Sequence, residues 1–171
     1  MKNLVYVAIL FFTITGCQQP QKIGYVDNSI LINEYQEKKD IEIKLQERIT
    51  TYEKRRDSLS RGFQLEVKEA EIKARNMSQK NLLKLQQEFQ RKEQSIAQLL
   101  QFEQKQISQD GQSMNDSLIK KVKSFVKDYG NNNGYDFILG SNEAGSVMFG
   151  NEDHDLTPII LEALNTAYKK D

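Results

Sequence analysis

Two long stretches of this chain contain neither glycine nor proline: Tyr25 to Arg61 and Phe63 to Asp110. Both are rich in Glu, Lys, Gln, Arg and Leu, which lose little rotamer freedom in a helix, so each stretch favours helix on propensity alone. Periodicity specifies the kind of helix. Leu45, Ile49, Tyr52, Arg56, Leu59 and Phe63 follow one another at steps of four and three. Leu82, Leu85, Phe89, Lys92, Ile96, Leu99, Glu103 and Ile107 do the same, and Met114, Leu118, Val122 and Phe125 continue that stripe. Such spacing puts one narrow apolar seam on each helix, the pattern of a coiled coil. Arg56, Lys92 and Glu103 fall on seam positions, which predicts a splayed arm whose seam partly faces water rather than a closed coil. The turn between the helices is expected at 75–79, with Ser78 as N-cap of the returning helix. Gly62 is the rival turn, but it leaves the two arms very unequal. Residues 28–128 therefore read as a helical hairpin, and Asn28 to Arg75 taken as one helix would span roughly 70 Å.

The ends of the chain have a different texture. Gly130, Gly134, Gly140, Gly145 and Gly150 crowd into one short stretch. Lys22 to Asp27 is a short strand pattern. Tyr135 to Leu139 and Ser146 to Phe149 are two more, joined by a glycine- and asparagine-containing loop that predicts a β-hairpin. Thr157 as N-cap and Pro158 at the first helical position open a closing helix to about Lys169, with Ile160, Leu161, Leu164 and Tyr168 on one face. The fold class is thus α+β: a small β-containing body, residues 22–27 and 129–171, from which a long antiparallel hairpin protrudes. Three strands and a short helix bury too little surface to be stable alone. The body is expected to share its sheet region with further copies of itself.

Residues 1–16 stand apart. Lys2 precedes an apolar run from Leu4 to Ile14, about half of the ~20 residues that a membrane-spanning helix needs, so the segment reads as a signal peptide. Ile14-Thr15-Gly16-Cys17 resembles the lipobox of bacterial lipoproteins, which predicts acylation of Cys17, the only cysteine in the chain. Residues 17–21 would then be a lipidated, polar tether that leads into the body. One cysteine also excludes an intrachain disulfide.

Lys and Arg total 24 and Asp and Glu total 24, so charge gives no argument for nucleic-acid binding. The distribution is uneven, however. Lys73, Arg75, Lys80, Lys84, Arg91 and Lys92 face a single acid, Glu88, within the same stretch, making a basic arm tip suited to acidic chains or anionic headgroups. No catalytic constellation can be assembled. His154 is the sole histidine, set among Glu152, Asp153 and Asp155 in what reads as a solvated acidic turn rather than a metal site. The stretch from Asp110 to Asp116 lacks alternating acidic ligands, and no phosphate-binding glycine loop is present. An enzyme, a metal and a cofactor are therefore not expected.

Strand, long helical hairpin, two strands and terminal helix resemble the Skp/OmpH family of periplasmic chaperones. The resemblance is carried by Ile23-Gly24-Tyr25-Val26-Asp27 with Ile32-Asn33-Glu34-Tyr35, by Gly134 to Leu139, and by Asp155-Leu156-Thr157 with Leu161 to Asn165. It implies a homotrimer whose arms enclose a cavity that holds unfolded outer-membrane proteins without ATP. The lipobox and the neutral charge distinguish this chain from soluble, basic members. Phe63, Leu82, Phe89 and Phe102 are the candidate apolar contacts for such clients, each with coiled-coil core as its competing role. The alternative function is a structural envelope lipoprotein, a spacer or scaffold without clients, although a pure spacer has no use for the 130–150 region and the terminal helix. Either protein is expected in the periplasm, held to a bacterial membrane by its N-terminal lipid.

Overall fold

The computed structural model describes residues 20–142 and 145–170. The signal peptide and Cys17 lie outside the described residues. Element order is β1 (Ile23–Asp27), α1 (Asn28–Glu34), α2 (Gln36–Ala74), α3 (Gln79–Asn132), β2 (Phe137–Ser141), a 3-10 turn (Glu152–His154) and α4 (Thr157–Tyr168). The α+β class holds, with a long helix pair and a small sheet.

The helix pair forms because α2 and α3 each offer an apolar seam and nothing interrupts either of them. Their reversal occupies Arg75 to Ser78, where Ser78 is extended and its carbonyl accepts the amides of Asn81 and Leu82. Its side chain makes no cap bond, so the backbone alone starts α3. Gly62 lies inside α2, and apart from its own chain neighbours and the helix backbone nothing comes within 4 Å of where a Cβ would sit. Glycine there costs helix stability and gains nothing from close packing, so Gly62→Ala is expected to stabilise the arm by about 0.5–1 kcal/mol in thermal unfolding.

The first arm helix is not continuous. Tyr35 has an extended backbone (φ −66°, ψ 127°) and separates α1 from α2. No glycine or proline signals this break. It follows from the Tyr35 side chain, which is fully buried beneath the C-terminal helix. The backbone groups freed at the break find partners: the Tyr35 carbonyl accepts the amides of Lys38 and Lys39, and the Gln36 amide donates to Asn165 Oδ1 at 2.8 Å.

The sheet also differs from the sequence expectation. β2 pairs with β1 in parallel, Ile23 opposite Phe137 through Asp27 opposite Ser141. Ser146 to Phe149 forms no strand, so the expected hairpin with 135–139 is absent. The reason lies in α3, which returns the chain to the level of Lys22. There the Lys22 amide donates to the Asp136 carboxylate at 2.7 Å, and the Asp136 amide donates to the Lys22 carbonyl at 2.9 Å, starting the parallel ladder. The other edge of β1 is taken by a bridge from Tyr25 to Asp155 and by the Leu156 amide on the Tyr25 carbonyl. Both edges of β1 are thus taken, while the second edge of β2 stays unpaired among the described residues and 146–149 does not add to it.

Thr157, expected as an N-cap, lies within the first turn of α4. Its hydroxyl accepts the Asp27 amide at 2.8 Å, while Asp155 accepts the Thr157 amide at 2.9 Å. The threonine therefore ties the helix to β1, and Asp155 satisfies the helix start. The core is confined to this junction: Val26, Leu31, Tyr35, Leu118, Val122, Leu156, Ile160 and Leu164. Gly24 lies close beneath it, where an added Cβ would come within 2.5 Å of Leu156 Cδ1.

Candidate functional site

Between Gln36 and Ser117 no residue is buried. Two helices can cover only one stripe of each other, so the seam residues stay half-buried and every other face meets solvent. Phe63 and Phe89 face each other across the hairpin with ring centroids 5.7 Å apart, an aromatic pair that joins α2 to α3. Leu82, with Val67, Ala70, Leu85 and Phe89, lines an open groove of about 500 Å³ next to the tip. Phe102 points outward and is 59% exposed. The four sequence candidates thus divide: Phe63 and Phe89 cover each other, Leu82 is a groove wall, and Phe102 is open surface.

Sequence reasoning passed over a further set. Ile43, Leu65 and Ile72 on α2 are 57%, 61% and 66% exposed. They lie 22 and 7 residues apart, near whole numbers of turns at about 3.6 residues each, so they share one stripe on the side of α2 away from the seam. Leu83 is likewise exposed on α3. The signal was present in the sequence as apolar residues off the 4-3 stripe.

The seam charges are accommodated by pairing. Lys92 reaches Glu66, Arg55 reaches Glu103 at 2.8 Å, and Arg48 reaches Asp110, all across the hairpin. Arg56 instead pairs with its neighbour Asp57. Exposed pairs of this kind add little stability, but they fix which turns of the two helices lie opposite each other. The basic tip is reduced accordingly. Lys92 is spent on Glu66, and folding back sets Glu66, Glu69 and Glu71 alongside the stretch counted in the sequence. What remains is Lys73, Arg75, Lys80 and Lys84, with no acid from Ile72 to Gln87. These four, and Arg91 further down, make no ion pair among the described residues.

A polar cluster fastens the arm to the body. Tyr35 donates to Glu37 at 2.6 Å, Lys121 of α3 pairs with Glu37 at 2.8 Å, and Tyr168 of α4 donates to Asp40 at 2.9 Å. Gln36 also donates to Asp40 at 2.8 Å, and the Tyr35 and Tyr168 rings meet edge to face at 6.0 Å. Burial would raise the Glu37 carboxyl, but the hydrogen bonds from Lys121 and Tyr35 and the nearby lysine charges outweigh it and hold it below its ordinary 4.5. Bonds from Gln36 and Tyr168 likewise lower Asp40. A carboxyl lowered in the folded state contributes stability that is complete above its unfolded value and is lost as pH falls through its folded value. Urea midpoints are therefore expected to drop between about pH 5 and pH 3, with a shallower drop for Glu37→Gln.

The sheet presents a second apolar surface. Val26 and Ile138 point into the core, whereas Ile23, Phe137 and Leu139 point out and are 40%, 54% and 46% exposed. Met148 and Phe149, in the loop that follows β2, are almost entirely exposed. A two-stranded sheet with apolar residues on both faces is marginal by itself, and an exposed patch of this kind marks an interaction surface. The acidic turn sits at the edge of this face. Burial, and then the charges of Asp155 and Glu152, raise the Tyr25 phenol above 10.0. Among the described residues no three His, Cys, Asp or Glu side chains converge to hold a metal, and no helix is long and apolar enough to cross a membrane.

The architecture has a solved counterpart. It is similar to an OmpH-like protein from Caulobacter crescentus CB15, assigned as an outer membrane chaperone, with a TM-score of 0.75 at 15% identity over 87% of this chain and 86% of that one. At that identity the likeness establishes the fold. No curated protein matches the chain. The family model for outer membrane protein (OmpH-like) matches residues 22–164, from the start of β1 into the terminal helix. The chain belongs to the OmpH-like family.

Proposed function

We propose that this chain is a holding chaperone of the bacterial periplasm that binds unfolded outer-membrane β-barrel proteins without ATP. It works as a homotrimer, joined through the outward face of the sheet and tethered to a membrane by acylated Cys17. The observation that carries the reading is the arm: more than eighty consecutive residues with none buried, studded with exposed Ile43, Leu65, Ile72, Leu83 and Phe102. A spacer needs length but not aliphatic side chains held in water. Scattered apolar contacts of this sort suit a client with no fixed shape, because many weak contacts inside an enclosed space replace one strong site. Membership of the OmpH-like family and the chaperone assignment of the Caulobacter crescentus relative support the same reading.

The test is dilution of a urea-unfolded outer-membrane β-barrel protein into buffer containing residues 22–171, with light scattering to follow aggregation and multi-angle scattering to give the mass of the complex. Suppression without nucleotide, at three chains per client, is the expected result. A folded trimer that leaves aggregation unchanged overturns the reading and favours an envelope scaffold. Phe102→Ser is expected to weaken suppression severalfold with the melting curve unmoved. Phe89→Ser, which strips the partner of Phe63, is expected to lower arm stability first.

A further inference from the structure

We infer that the anchored protein stands with its arms pointing away from the bilayer that carries it, so that the basic tips meet polypeptide arriving from across the compartment. The inference rests on the lipid-anchored trimer proposed above. It follows from where the N-terminal end of the body is fastened. The Lys22 amide donates to Asp136, and its ammonium donates to the Asn133 carbonyl at 2.9 Å and lies 4.1 Å from the centre of the Tyr135 ring. Asn133 is the residue that closes α3. The other end of α3, at Gln79, adjoins the tip. The chain thus enters the body at the foot of a 54-residue helix whose head is the tip, about 81 Å away along its axis.

The tether cannot make up that distance. Only Gln18, Gln19, Pro20 and Gln21 separate Cys17 from Lys22, and five residue steps reach at most about 17 Å. A single tether of that length would let one chain lie flat. Three tethers leaving the same end of a three-fold assembly meet the bilayer at one level and hold the axis upright. Lys73, Arg75, Lys80 and Lys84 then stand far beyond the Debye length of about 8–10 Å within which their own membrane's surface charge acts. Their partner is an acidic stretch of an incoming unfolded chain, drawn first to the tips and then along the exposed stripe of Ile72, Leu65 and Ile43.

The full-length chain, produced with its signal peptide and inserted into vesicles that carry an acceptor dye on their lipids, tests this. A donor dye is placed at the tip through Asn76→Cys or at the foot through Asn131→Cys, the native Cys17 thiol being consumed by acylation. Energy transfer to the lipid is expected to be at least tenfold stronger from the foot than from the tip. Equal transfer from both positions means a molecule lying on its side and overturns the inference. So does tip transfer that rises to the foot value when anionic lipid is added. Flotation of the same vesicles reads the anchor separately: protein that stays behind overturns the anchoring reading, and the orientation with it.

Discussion

Tyr35→Ala is expected to lower the unfolding free energy by about 3–5 kcal/mol, the range for truncating a fully buried aromatic residue. Its ring has no exposed surface and packs edge to face on Tyr168, and its hydroxyl is satisfied by Glu37. It also occupies the break between α1 and α2, so the cavity left by alanine opens where the arm leaves the body. Tyr35→Phe keeps the ring and loses one hydrogen bond, for which about 1 kcal/mol is expected. Urea titration followed by circular dichroism, at one fixed protein concentration because the proposed assembly would contribute to apparent stability, separates the two. A loss below about 1 kcal/mol for the alanine variant would mean that α4 collapses into the space and that Tyr35 is not the fastening point.

Phe137→Asp combined with Leu139→Asp is expected to reduce the scattering mass of the proposed trimer to that of a single chain. The two side chains stand on the same face of β2, two residues apart, and are about half exposed in the chain alone. In one chain the carboxylates remain in water, and folding is little affected. Across a closed assembly each would be buried without a partner in every copy, and uncompensated buried charges cost several kcal/mol apiece. The double variant should therefore keep the helical content of the arm while losing the proposed assembly and, with it, the proposed retention of clients. An unchanged trimer mass would show that the outward face of the sheet is not the joint, and the almost fully exposed Met148 and Phe149 would become the next place to substitute.

The arm was legible in the sequence because its signal repeats: the 4-3 stripe runs through many turns with no breaker, and the reversal near 75–79 is the only place that makes the two runs comparable in length. The break at Tyr35 was not legible. Nothing in Asn33-Glu34-Tyr35-Gln36 opposes helix, and the interruption exists only because α4 offers a pocket for the ring and Asn165 for the freed amide. Pairing of the strands failed for a related reason. Local spacing favoured joining 135–139 to 146–149, whereas the actual partner of β2 lies 114 residues earlier, at the far end of the hairpin. The apolar candidates were only partly separable. Phe63 and Phe89 were candidate client contacts with the coiled-coil core as their competing role, and their seam positions already favoured the core; Phe102, next to the seam residue Glu103 but off the stripe, was readable as outward. Ile43, Leu65 and Ile72 were equally readable once the off-seam positions are asked about.

Because β1 is made first and its partner β2 emerges only after the whole hairpin, the order in which the chain can fold is constrained. The hairpin closes through contacts that begin at a four-residue turn, with a small entropic cost for each pair brought together. The sheet requires ends separated by 114 residues to meet, and that encounter becomes cheap only after α2 and α3 have zipped and carried Asp136 back to Lys22. The body therefore matures last. As the chain is made, β1 has both edges open and must remain unpaired until nearly the entire chain has followed. A chain cut short before Phe137 would possess its arm but never the sheet at the arm's foot.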